Sequence, residues 1–93
     1  MTETLRLTAV VHGRVQGVNF RYYTRQRAVG MGLTGYVRNQ WDGTVVVVAE
    51  DSRPVLEALL RWLHQGPPSA YVTQVDAEWS PATGEFLSFG VRY

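Results

Sequence analysis

The nine residues 13–21, Gly-Arg-Val-Gln-Gly-Val-Asn-Phe-Arg, connect a segment that predicts a β-strand to one that predicts a helix. Before them, apolar residues alternate with the period of a half-buried strand, at Leu5, Leu7, Ala9 and Val11. After them, residues that would share one helix face recur, at Phe20, Thr24, Ala28 and Met31. Glycine lets backbone N–H groups converge on an anion, and a helix N-terminus adds its positive pole. We therefore predict a phosphate-binding loop at residues 13–21.

The remaining segments predict four more strands and a second helix. Alternating residues, an Asp42-Gly43 turn and a run of consecutive valines indicate a hairpin whose second strand is central in the sheet. The strands are predicted at residues 33–39, 44–50, 71–79 and 87–93, and the helix between a cap at Asp51 or Ser52 and a stop at Gly66. The order is β-α-β-β-α-β with an additional strand. We predict an α+β ferredoxin-like sandwich, with two helices on one face of a mixed or antiparallel sheet.

The composition excludes several kinds of site. A chain of 93 residues is long enough for one domain with one core, so we expect residues 1–93 to form a single domain. There is no cysteine, which excludes disulfides, thiolate metal sites and a cysteine nucleophile, and two histidines do not complete a zinc site. No apolar run approaches a membrane span, and no secretion signal is evident. We expect a cytoplasmic monomer that binds neither metal nor membrane.

The charge is distributed unevenly along the chain. Residues 1–40 contain six arginines and one acidic residue, whereas residues 41–93 contain three arginines and seven acidic residues. The first segment is therefore basic, although the net charge of the whole chain is only +1. This pattern favours an anionic partner near the first segment, but it is also compatible with an uneven surface charge that has no function.

Topology should bring Arg21 and Asn39 to the same edge of the sheet, because the strand before each of them runs in the same direction. Arg21 lies in the first helical turn, where a cation opposes the helix dipole by about 0.3–1 kcal/mol. A bound phosphate would reverse this effect, since charge-assisted hydrogen bonds contribute about 1.5–3 kcal/mol each. The alternatives are a surface arginine at position 21 and a turn-forming asparagine at position 39. Arg14 is as well explained by surface charge as by a phosphate contact.

Two motifs resemble those of the acylphosphatase family. Residues 13–21 resemble the signature loop of the family, and Gly32-Leu33-Thr34-Gly35-Tyr36-Val37-Arg38-Asn39, followed by Asp42-Gly43-Thr44-Val45, resembles its second signature. The length and the element order also fit the family over the whole chain. Two residues depart from the pattern: Asn19 stands where a bulky or apolar residue is frequent, and Gln40 stands where a small hydroxyl residue is frequent.

The resemblance implies hydrolysis of the carboxyl–phosphate bond of acyl phosphates to carboxylate and inorganic phosphate, without metal or cofactor. It places Arg21 as the phosphate-binding arginine and Asn39 as the residue that positions the attacking water. It implies a phosphate site completed by the backbone N–H groups of the signature loop, at Val15, Gln16, Gly17, Val18, Asn19 and Phe20. The expected ligand is a small acyl phosphate, and no nucleic acid is expected, because the aromatic strand signature of RNA-binding sheets is absent.

Two other functions remain compatible with the sequence. The first is a non-catalytic ferredoxin-like domain that binds an anion or another effector, since a fold does not determine a function. The second is a specialised substrate, because acylphosphatase-like domains also occur inside larger proteins that use carbamoyl phosphate. Turnover of benzoyl phosphate would separate the enzyme from the binding domain, and relative rates on different acyl phosphates would address the substrate.

Overall fold

The computed structural model describes residues 3–93, which form two helices and a five-stranded sheet. The strands are β1 (Thr4–Arg14), β2 (Thr34–Asn39), β3 (Val45–Ser52), β4 (Tyr71–Pro81) and β5 (Phe89–Arg92), and the helices are α1 (Phe20–Gly30) and α2 (Arg53–Gln65). The sheet order is β4-β1-β3-β2-β5, with β2 and β5 parallel and every other pair antiparallel. The predicted ferredoxin-like sandwich is therefore confirmed, and β3 is the central strand, as its valines predicted.

One face of the sheet forms the core with both helices. In register, Ala9 of β1 lies opposite Val47 of β3, which lies opposite Val37 of β2. All three side chains are fully buried, together with Leu56, Leu59 and Leu63 of α2 and with Phe20, Thr24 and Ala28 of α1. The core side of β1 and of α1 was therefore predicted correctly, because burial on one face of an element follows its own period.

The strand β1 continues two residues further than the predicted loop boundary. A bulge between His12 and Gly13 shifts the register, after which Gly13 pairs with Val72 and Arg14 with Tyr71. Gly13 has φ +122°, and a Cβ on it would lie 2.1 Å from the Tyr71 carbonyl oxygen. Only glycine fits this close approach of two backbones, so Gly13 shapes the sheet and not the loop.

The last strand is shorter than predicted. Leu87 and Tyr93 lie outside β5 and are almost fully exposed, whereas Phe89 is buried. Before this strand, the Glu50 carboxylate accepts hydrogen bonds from the backbone N–H groups of Thr83 and Gly84, each at 3.0 Å. These contacts tie the segment that precedes β5 to β3, and the pairing with β2 begins only at Phe89.

The start of α2 also differs in detail from the prediction. Ser52 occupies the N-cap position, but its side chain makes no capping hydrogen bond. Its backbone N–H instead donates to the Asp51 carboxylate, at 2.6 Å. Pro54 lies in the first turn and Gly66 ends the helix, as predicted. Among residues 3–93, neither helix is long and apolar enough to cross a membrane.

Candidate active site

The loop between β1 and α1 has an irregular backbone that ends at the start of the helix. Gly17 has φ +74° and Asn19 has φ +62°, and Asn19 is the only non-glycine with positive φ among residues 3–93. Asn19 is also the N-cap of α1, and its backbone carbonyl accepts the Tyr23 N–H at 3.1 Å. Alternation of left-handed and ordinary backbone turns successive N–H groups toward one side, which suits an anion. Asparagine tolerates this conformation better than a bulky residue, which accounts for its presence here.

A cavity of about 290 Å³ opens beside this loop. Its walls include five of the seven predicted phosphate-site residues, at Val15, Gly17, Asn19, Phe20 and Arg21, together with Asn39 at the end of β2. Arg21 and Asn39, 18 positions apart, therefore face the same space. The convergence that the topology predicted is present in the structure.

Gln16 and Val18 do not line the cavity and instead connect the loop to its neighbours. The Gln16 side chain donates hydrogen bonds to the Gln40 and Thr44 carbonyl oxygens, at 2.7 and 2.9 Å. The Val18 carbonyl accepts the Ser69 hydroxyl at 3.0 Å. Sequence reasoning considered only the backbone of Gln16 and missed its side chain, because its partners lie 24 and 28 positions away.

The turn after Asn39 is held by a compact set of hydrogen bonds. The Gln40 N–H donates to the Thr44 carbonyl at 2.8 Å, and the Gln40 side chain donates to the Thr44 hydroxyl at 3.0 Å. That hydroxyl and the Thr44 N–H both donate to Asp42 and lower the pKa of its carboxyl, the hydroxyl contributing most. Gln40 thus takes part in fixing the strand end, although it departs from the residue that is frequent in the family.

Asn39, which lines the cavity, has a side-chain oxygen that lacks a hydrogen-bond partner in the described part of the chain. Its side-chain oxygen Oδ1 is buried and has no hydrogen-bond partner among residues 3–93. A buried acceptor without a partner costs about 1–3 kcal/mol, so such atoms are rare in folded proteins. A side-chain acceptor that lacks a protein partner, on a residue that lines a cavity, is suited to hold a water molecule.

Arg21 is the cation nearest the start of α1 and is partly exposed. Its guanidinium carbon lies 4.7 Å from the centre of the Tyr93 ring, which forms part of the same cavity. No aspartate or glutamate lines this cavity, and no ion pair within 4 Å involves Arg21 among residues 3–93. The guanidinium is therefore free to pair with an anion.

Four further residues, which the motifs did not indicate, also line the cavity: Tyr22, Arg25, Val91 and Tyr93. For Arg25 the sequence did contain a signal, because residues four apart lie on one helix face and Arg25 follows Arg21 by four. Tyr93 could not be found this way, since its position depends on how β5 pairs with β2.

A second groove, of about 470 Å³, is larger than the first. It lies between the two helices and is lined by residues outside both motifs, among them Tyr23, Arg27, Trp62 and Pro67. None of its lining residues has a buried unpartnered side-chain polar atom, and neither Gly17 nor Asn19, the residues of the β1–α1 loop with positive φ, lines it. We therefore take the smaller cavity as the candidate active site.

Residues 3–93 contain no cluster of side chains suited to a metal ion.

Comparison with known proteins agrees with this geometry. The model of the Acylphosphatase family matches residues 7–91. An acylphosphatase of Pelotomaculum thermopropionicum is 49% identical over 88 residues, which cover 95% of this chain and 96% of that protein. The solved acylphosphatase structure from Bacillus subtilis has a TM-score of 0.92 and 32% identity, and covers 96% of this chain and 99% of that chain. The structure from Coxiella burnetii has a TM-score of 0.89 and 37% identity, and covers 97% and 94%. The chain therefore belongs to the acylphosphatase family, the hydrolases of acyl phosphates.

Proposed function

We propose that the chain hydrolyses acyl phosphates in the cavity beside the β1–α1 loop by direct attack of water, with Arg21 binding the phosphoryl group and Asn39 positioning the water. The observation that carries this assignment is that Asn39, whose Oδ1 is buried without a partner, lines the same cavity as an arginine that has no acidic partner within 4 Å among the residues described. One group attracts the phosphoryl oxygens, and the other can accept a hydrogen bond from the nucleophile.

In this proposal the phosphoryl group is bound by charge and by backbone donors. The guanidinium of Arg21 and backbone N–H groups of the cavity-lining part of the loop, at Val15, Gly17, Asn19 and Phe20, face its oxygens at the positive end of α1. A phosphoryl group in transfer carries charge on its equatorial oxygens, so donors that are already in place stabilise it without further reorganisation. Gln16 and Ser69 support the loop that holds these donors.

The water attacks phosphorus while its hydrogen bond to Asn39 Oδ1 aligns it opposite the leaving group. A bond forms between the water oxygen and phosphorus, and the bond from phosphorus to the acyl oxygen breaks, so that the carboxylate leaves with the electron pair. The water proton passes to a phosphoryl oxygen and yields inorganic phosphate. A carboxylate is a stable leaving group, so the step requires neither a general acid nor a cofactor.

We also propose that the domain acts as a monomer. One continuous cluster of buried residues, from Leu7 to Phe89, supports a single domain over residues 1–93. Arg21 and Asn39 meet in one cavity within a single copy of the chain, so the proposed chemistry requires no residue of a second copy. Light scattering coupled to size-exclusion chromatography would contradict this proposal if the active species had twice the mass of the chain.

The test is the hydrolysis of benzoyl phosphate by the purified chain, followed in water enriched in ¹⁸O. We expect acceleration above buffer, with the solvent oxygen in the phosphate and not in the benzoate, because attack occurs at phosphorus. We also expect no burst of benzoate, because no phosphoenzyme accumulates. Phosphate binding without turnover would instead identify a non-catalytic anion-binding domain.

A further inference from the structure

We propose that Arg25 forms a second anion subsite in this cavity, which favours acyl phosphates whose acyl group carries its own carboxylate or another anionic substituent. The inference rests on the proposed function, since it names a substrate class for the same cavity. It concerns the part of the substrate that is not transferred, about which the two family motifs contain no information.

The position of Arg25 follows from the geometry of α1. Arg25 lies four residues after Arg21, so both side chains emerge from one face of the helix, about 6 Å apart along its axis. Both residues line the cavity of about 290 Å³, Arg21 with the first helical turn and Arg25 one turn further from the loop. A substrate whose phosphoryl group binds at Arg21 would therefore place its acyl group within reach of Arg25.

The charge of Arg25 is not neutralised within the described chain. None of the four ion pairs in residues 3–93 involves it, and no aspartate or glutamate lines the cavity. Arg27, on the same helix, also takes part in none of these ion pairs, but its guanidinium lies 5.4 Å from the centre of the Trp62 ring and it lines the other groove. Arg25 is thus a cation at the cavity with no contact that explains its presence there.

Arg25 should raise kcat/KM only for substrates whose acyl group carries a negative charge. An uncharged acyl group leaves the Arg25 guanidinium in water and gains nothing from it. A carboxylate on the acyl group can accept paired N–H donors from the guanidinium, a geometry that arginine favours. Because Arg25 is exposed, the gain in kcat/KM should be modest, about fivefold at low ionic strength, and should decrease as salt screens the pair.

The test compares succinyl phosphate with butyryl phosphate, which share one carbon skeleton and differ in the terminal carboxylate. For the unmodified chain we expect kcat/KM to be about fivefold higher on succinyl phosphate. Arg25→Gln should abolish this ratio, and the loss should fall on succinyl phosphate. Arg27→Gln is the matched control, because it removes the same charge from the same helix outside the cavity, and it should preserve the ratio.

Added salt provides an independent readout. In about 1 M NaCl, where the screening length is near 3 Å, the ratio should approach one in the unmodified chain. Equal kcat/KM on both substrates, or an equal loss on both in Arg25→Gln, would overturn the subsite. That result is distinct from failure of the proposed function, which would appear as no turnover of either substrate.

Discussion

Two buried polar groups lie at opposite ends of the β2–β3 ladder, and their hydrogen bonding differs completely. At the cavity end, Asn39 pairs with Val45, and its Oδ1 has no partner among the described residues. At the other end, Glu50 pairs with Thr34, and its carboxylate accepts hydrogen bonds from Arg6 at 2.8 Å and from the N–H groups of residues 83 and 84. Arg6 also pairs with Glu85, which fastens the same loop.

The difference separates the group to which we assign a role in turnover from one that stabilises the fold. The saturated carboxylate stabilises the fold, because each hydrogen bond to a charged group contributes about 1.5–3 kcal/mol. The Asn39 oxygen makes no such contact with the described residues, and we infer that it is retained to bind the attacking water. Changes at the cavity should therefore affect turnover with little effect on unfolding, and changes at Glu50 should do the opposite.

The largest expected effect is that of Arg21→Gln on turnover. Removal of the guanidinium should lower kcat/KM on benzoyl phosphate by about three orders of magnitude and should also weaken competitive inhibition by phosphate, because the ground state and the transition state both lose the charge. Arg14→Gln is the matched control, since Arg14 ends β1 and does not line the cavity. Equal activity of the two variants would remove Arg21 from the proposed mechanism.

Asn39→Ala should separate binding from catalysis. We expect kcat to fall by about two orders of magnitude while the inhibition constant for phosphate stays near its original value, because the water and not the phosphate is lost. The free energy of unfolding should change little, since Asn39 Oδ1 makes no hydrogen bond with the described residues. A near-native rate in this variant would contradict the role of Asn39.

Glu50→Gln should lower the free energy of unfolding by about 2 kcal/mol at neutral pH, with turnover retained in the folded protein. Urea titration measures the first quantity and the benzoyl phosphate assay the second. Glu57→Gln is a suitable control, because the Glu57 carboxylate makes only a 3.6 Å contact with Arg53 on the surface. A large loss of kcat in folded Glu50→Gln would contradict the separation of the two ends.

The contribution of Glu50 should depend on pH in a defined direction. Burial alone would raise the pKa of its carboxyl, but the N–H groups of Thr83 and Gly84 and the guanidinium of Arg6 outweigh burial, and the pKa lies below its ordinary value of 4.5. A carboxyl with a lowered pKa stabilises the folded chain above pH 4.5, and this stability is lost as the pH falls through the folded-state pKa. The difference in unfolding free energy between the native chain and Glu50→Gln should therefore shrink in acid.

The smallest expected effect concerns a second unpartnered atom, the Thr24 hydroxyl, which is fully buried within α1 and does not line the cavity. Thr24→Val should raise stability by about 1 kcal/mol and the Tm by about 4 °C or more, because a nonpolar group of the same shape replaces the hydroxyl. Thr24→Ser retains the hydroxyl, loses a methyl group and should be less stable. Turnover should be the same in both, in contrast to Asn39→Ala.

The sequence predicted the elements well, because those features are local. Periodicity identified β1 and α1, and the valine run identified the central strand. The glycine-containing loop before a helix led to the anion site that we propose. The prediction failed at Leu87 and Tyr93, where the alternation continued but the strand did not. The sequence also did not reveal that Thr83 and Gly84, before β5, donate hydrogen bonds to Glu50, more than 30 positions away.

What the sequence alone determined was the list of elements, their order and the presence of Arg21 at a helix N-terminus, since each depends on residues within a few positions. Only the tertiary structure decided which polar atoms acquired partners. The side chain of Gln16 fastens the loop to the turn after Asn39, Glu50 is saturated, Asn39 Oδ1 is left without a partner, and Arg25 joins Arg21 in one cavity. The physical reason is that hydrogen bonding in the interior depends on the few atoms that packing brings within about 3 Å, and most of these are distant along the chain.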